Sequence, residues 1–69
     1  MEKELEALIG NFVAVLPKTE KTIFVLRYFY LTPIDEIARQ SGFSSGKVKS
    51  ILFRSRKKLR DRLEKEGLI

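Results

Sequence analysis

Gly42 splits the second half of this chain into two amphipathic stretches that must meet at an angle. Residues 34–60 read IDEIARQSGFSSGKVKSILFRSRKKLR. A left-handed backbone costs glycine nothing, so Gly42 closes one helix and redirects the chain into the next. Ala38, four residues before the glycine, offers a small side chain where the second helix crosses the first. Val48, six residues after it, offers an apolar anchor, and Ile37, Phe43 and Ile51 fill further buried positions. These are the steric requirements of a helix-turn-helix, and an ordinary helical hairpin does not need them. Ser41 stands where an apolar residue is usual, which slightly weakens the core.

The rest of the chain reads as helix too. The first helix is expected over about residues 2–15, where Leu5, Leu8, Ile9, Phe12, Val13 and Leu16 make one apolar stripe. Glu2, Glu4 and Glu6 lie at its positive dipole end. Pro17 ends that helix and opens a second, over about residues 17–30. The second helix carries Ile23, Phe24, Leu26 and Phe29, with Tyr28 and Tyr30 nearby, a denser set than one buried face requires. Most of this set is expected in the core and part on a partner-binding surface.

Thr32 and Pro33 start a third helix, the threonine as its cap, with Asp35 and Glu36 at the favourable dipole end. Ser44 or Ser45 caps a fourth, which runs to about residue 66, where Gly67 stops it. Its inner seam is Val48, Leu52, Ser55, Leu59 and Leu63. The expected fold is all-α: one small four-helix bundle over residues 1–69, with the helix-turn-helix at about 33–56 and a long basic helix at the C-terminus.

Charge sharpens the picture. Residues 1–36 carry four bases and six acids, whereas residues 37–62 carry nine bases against Asp61 alone. Such polarity is expected when one face meets a polyanion. Sixty-nine residues allow one modest core, worth roughly 3–5 kcal/mol. With no cysteine there is no disulfide or thiolate ligand, and with no histidine, no metal-ligand spacing and no glycine-rich phosphate loop, catalytic, metal and cofactor roles find no residues. Asp35, Glu36 and Asp61 are explained as dipole partners and ion pairs. No stretch approaches the ~18 apolar residues of a membrane span, and the acidic start is no signal peptide, so a soluble cytoplasmic protein is expected.

On the helix-turn-helix geometry, Ser45, Lys47, Lys49, Ser50, Phe53 and Arg54 point outward from the start of the fourth helix. Lysine and arginine donate to guanine, and an aromatic ring packs on a thymine methyl. Arg56, Lys57, Lys58, Arg60 and Arg62 suit phosphates, which fix register without reading sequence. Lys57 and Arg62 are the candidates for mere solubility.

Leu16-Pro17, Ile23 to Arg27, Asp35 to Ala38, Gly42, Gly46 to Ser50 and Arg54 to Arg60 together resemble region 4 of bacterial sigma factors, with an extracytoplasmic-function flavour. The resemblance covers roughly residues 16–63. It implies a four-helix domain that docks on the flap of the RNA polymerase β subunit and places its recognition helix in the major groove of a −35 promoter element. The base-reading and nearby backbone positions then fall on Lys49, Ser50, Phe53 and Arg54. Arg56 falls on a phosphate contact, and Arg27 on an arginine that reaches DNA from outside the motif. The polymerase-facing groove lies between the first two helices and the start of the third, and the family admits an anti-sigma factor as a further partner.

Three positions depart from the pattern: Lys47 replaces a usual threonine, Ile51 a frequent arginine and Lys21 a common arginine. No region 2, which would melt the promoter, fits into 69 residues, so an excised domain or a stand-alone supplier of region 4 is expected. A LuxR-type DNA-binding domain shares part of the pattern but lacks the R-x-R-x-x-L-R ending. A protein-interaction domain with an incidental basic face is the alternative outside DNA binding; steep salt dependence would separate the two. A membrane-surface helix fits poorly, because the fourth helix has no aromatic, leucine-rich face.

Overall fold

The computed structural model describes residues 2–69, apart from the side chain of Glu2, whose expected place at the helix dipole lies outside the described residues. Four helices follow one another: α1 (Glu2–Ala14), α2 (Lys18–Tyr28), α3 (Ile34–Ser41) and α4 (Ser45–Lys65), with no strand among the described residues. The long dimension is 36 Å against 18 Å in the other two, and α4 sets it. At about 1.5 Å per residue, its 21 residues span roughly 31 Å.

The core is built as two clusters side by side. Ile23, Ile37, Val48, Ile51 and Leu52 form the first, with Leu26, Ile34, Ala38 and Phe43 packed against it. This cluster joins α2, α3 and the first half of α4, and so fixes the helix-turn-helix. Phe12, Val13, Leu16 and Phe24 form the second, with Ile9, Val25 and Leu59 against it, and it holds α1 in place. Neighbouring residues on α2, Ile23 and Phe24, feed the two clusters separately.

The turn between α3 and α4 follows the expected chemistry. Gly42 is left-handed (φ 78°) and donates its N–H to the Ala38 carbonyl at 2.9 Å. Ser44 caps α4, its Oγ accepting from the Lys47 N–H at 3.1 Å. Ser41, read as a loss to the core, cross-links the turn instead. Its Oγ donates to the Ala38 carbonyl and accepts from the Phe43 N–H, both at 3.3 Å.

Two expectations at the α2–α3 connection give way. The second helix stops at Tyr28 rather than Tyr30, because Leu31 takes a left-handed backbone (φ 55°). The Tyr30 and Thr32 N–H groups then bond back to the Val25 and Leu26 carbonyls at 3.2 and 2.9 Å. Phe29 and Tyr30 therefore sit in the exit turn and are 58% and 72% exposed, where most of the aromatic set was expected in the core. Thr32 does not cap α3. Pro33 occupies the cap position with extended backbone and no side-chain bond, while the Thr32 carbonyl accepts from the Arg27 guanidinium at 3.1 Å.

On the inner seam of α4, Val48, Leu52 and Ser55 are buried, and Leu59 and Leu63 are half-buried. Ser55 has no solvent exposure, and its Oγ has no hydrogen-bond partner among the described residues. An unpaired buried hydroxyl costs about 1–3 kcal/mol, and alanine is the better helix former. Ser55→Ala is therefore expected to stabilise the domain by about 1 kcal/mol, raising the melting temperature by about 4–8 °C in a circular-dichroism melt. An unchanged or lower melting temperature would show that the hydroxyl is satisfied.

Candidate nucleic-acid interface

Helical periodicity brings Lys49, Ser50, Phe53, Arg54 and Arg56 to one side of α4. They line a single open concavity of about 680 Å³. Phe53 is 61% exposed there, an aromatic ring held out between cations. Toward the C-terminal end the surface continues as a second depression lined by Phe53, Arg56, Lys57 and Arg60.

Among the described residues, four cations are held by carboxylates. Arg39 pairs with Glu36, Lys58 with Glu20 at 3.2 Å, Arg60 with Glu64 at 3.2 Å and Arg62 with Glu66 at 3.9 Å. Lys49, Arg54 and Arg56 have no carboxylate partner among the described residues. Their charge is uncompensated within the chain and open to a polyanion.

A smaller cavity of about 150 Å³ lies where α2, α3 and α4 converge. Arg27 and Tyr28 enter it from α2, Ile34 from the start of α3, and Lys49, Leu52 and Arg56 from α4. The Arg27 guanidinium is half-buried and anchored on the Thr32 carbonyl, which keeps it in place beside the other two cations. Three positive groups around one small space suit a single anion such as a phosphate, since each N–H donor gains a charge-assisted bond.

On the α1 side of the same region, Ile9, Phe24, Tyr28, Phe29 and Leu59 make an apolar groove of about 240 Å³, to which Arg56 contributes only apolar surface. Phe24 is its aromatic hub. The rings of Phe12, Tyr28 and Phe29 lie around it at centroid distances of 6.0, 4.8 and 6.5 Å.

A family model, sigma-70, region 4, matches residues 6–59. The chain belongs to the sigma-70 region 4 family. This region 4 chain is 36% identical over 62 residues to the RNA polymerase sigma-E factor of Streptomyces avermitilis, covering 90% of the chain and 35% of that protein. It is 42% identical over 53 residues to the RNA polymerase sigma factor SigV of Bacillus subtilis, covering 77% and 32%. The sigma-E factor of Streptomyces antibioticus gives 36% over 62 residues, covering 90% and 34%. The chain thus spans about a third of the length of the curated relatives it matches. No solved structure gives a match of comparable strength. The family match decides between the sigma-type and LuxR-type readings of the helix-turn-helix, and the family is one of non-enzymatic DNA-binding domains.

Of the region 4 residues singled out from sequence, six gather here: Lys49, Ser50, Phe53, Arg54 and Arg56 around the concavity, and Arg27 across the adjoining cavity. Three stand apart. Ser45 is half-buried and donates its hydroxyl to Asp35 Oδ1 at 3.2 Å, tying the starts of α3 and α4 together. The Lys47 ammonium lies over the Phe43 ring, 4.5 Å from its centroid, on the side of the turn. Lys58 is committed to Glu20 on α2. Lys57, expected to serve solubility, is exposed and lies beside Phe53 and Arg56. Its four-residue step from Phe53 was the available signal. Tyr28 was read only as part of an aromatic excess, and its place between cavity and groove depends on where α2 ends.

Proposed function

We propose that this region 4 domain recognises a −35-type promoter element through α4 while docking on the β-flap of RNA polymerase through the apolar groove, in transcription initiation. The observation that carries the first half is the concavity itself: a serine, an exposed aromatic and three cations, unpaired among the described residues, side by side on a helix long enough to lie along a groove. An α-helix fits the major groove, where each base pair presents a distinct pattern of donors and acceptors. Arg54 and Lys49 are the donors to guanine edges, Phe53 the contact to a thymine methyl, and Ser50 either a base or a backbone contact. Arg56 and Arg27 hold phosphates, and Ser45, Lys47 and Lys58 serve as peripheral or positioning groups.

The polymerase half is supported by the groove and by the names of the relatives, which are RNA polymerase sigma factors. A surface that displays Phe29, Tyr30 and Leu31 to water beside an apolar groove fits a protein partner. This apolar groove is lined from α1, α2 with its exit turn, and α4.

Duplex selection from a random library tests the reading directly. The parent is expected to yield one preferred motif. Arg54→Ala is expected to lose preference at one base position of that motif and about 1–3 kcal/mol of affinity for the parent's best site. An identical motif from both proteins would remove Arg54 from the reading face. For the polymerase half, an isolated β-flap fragment should bind the parent and lose binding to Phe29→Asp; no complex with the parent would end that half.

A further inference from the structure

We infer that the anion cavity and the apolar groove are energetically coupled through one shared wall, Tyr28 and Arg56, so that filling either raises affinity at the other. The inference rests on the two-sided reading just given. Both residues line both spaces: with Arg27 and Lys49 they bound the cavity, and with Phe24 and Leu59 they bound the groove. Arg56 divides its side chain between them. It gives the groove apolar surface only, its methylene stem, which leaves its cationic end available to the cavity as well as to the outer face of α4. The Tyr28 ring packs against Phe24, the groove's hub, at 4.8 Å.

The sign of the coupling follows from what each occupant requires. Arg56 is exposed and has no carboxylate partner among the described residues, so its rotamers are free in the unliganded domain. The charges of Arg27 and Lys49 also repel its guanidinium while the cavity is empty. A phosphate in the cavity draws the guanidinium inward and thereby lays the stem along the groove. An apolar occupant of the groove packs on that same stem and on the Tyr28 ring, holding them where the guanidinium faces the cavity. Both ligands select one arrangement of one side chain, and whichever binds first removes the ordering cost for the second. The two-state element is thus a rotamer set and needs no movement of the backbone.

The test measures affinity for a mixed-sequence 20-base-pair duplex by fluorescence anisotropy, with and without a saturating isolated β-flap fragment. A duplex of no particular sequence is the right probe because phosphate contacts are blind to sequence. The fragment is expected to tighten duplex binding about 5- to 10-fold in the parent and less than about twofold in Arg56→Met, which keeps an apolar stem without a charge. A fragment that binds the parent and leaves duplex affinity unchanged or weaker would overturn the coupling and leave the docking reading intact. If the fragment does not bind at all, the docking reading fails, and methyl NMR of Ile9 and Leu59 decides the coupling alone. Shifts of both methyl sets on duplex addition, absent in Arg56→Met, support it; silent methyls in the duplex-bound parent overturn it.

Discussion

Ile37→Ala is expected to leave most of the chain unfolded at 25 °C. Ile37 has no exposed surface and is the one buried side chain of α3, packed among Ile23, Val48, Ile51 and Leu52. Removing three carbons from such a site costs about 2–5 kcal/mol, through lost transfer energy and the cavity left behind. A core of this size supplies roughly 3–5 kcal/mol in total, so the loss rivals the whole. An eight-residue helix has no stability of its own, and α3 without its anchor would leave α4 uncrossed. Far-UV circular dichroism is expected to lose most of its helical signal at 25 °C, and duplex binding should go with it. Phe53→Ala is the control. That ring is mostly exposed, so its removal should change stability by no more than about 0.5 kcal/mol. A helical Ile37→Ala protein melting within a few degrees of the parent would mean that α3 is held by something other than this cluster.

The same contrast explains which parts of the molecule were legible in the sequence. Ala38, Gly42 and Val48 announce the helix-turn-helix because steric demands at a tight crossing act at fixed offsets along the chain. Ser44 as a cap and Gly67 as a stop are local for the same reason, each satisfying backbone groups within a few residues. The exit from α2 was not legible, since Leu31 adopts a backbone that leucine disfavours and no residue pattern signals it. The residues flanking it moved with it: Phe29 and Tyr30 outward, Thr32 away from the cap. Long-range pairing was equally hidden. Lys58 reads as one more cation in a basic run until Glu20, 38 residues earlier, is brought beside it. Arg56, four residues past Leu52 and three before Leu59, was expected among the phosphate contacts, but its place between two surfaces depends on α1 and α2 packing against α4.

Neutralising the three cations of the small cavity is expected to separate holding DNA from reading it. Arg27→Gln, Lys49→Gln and Arg56→Gln combined remove the groups that bound that space while leaving Phe53 and Arg54 in place. Every phosphate that goes without its cation should lower the slope of log K against log salt by about 0.9. The cavity holds one phosphate, so the triple variant should flatten it by about 0.9 and weaken binding at 0.1 M salt by about 10-fold. The weakening should be nearly equal for a preferred duplex and a scrambled one, because phosphates carry no sequence information. Lys49 is the exception built into the design: it lines both the cavity and the base-facing concavity, so any drop in preference confined to one base pair identifies it as a reader. Glutamine at position 27 forfeits the bond to the Thr32 carbonyl, so a melting curve must accompany the titrations. A folded triple variant with the parent's salt slope would show that no phosphate enters the cavity, and duplex binding would then have to rest on the outer face of α4 alone.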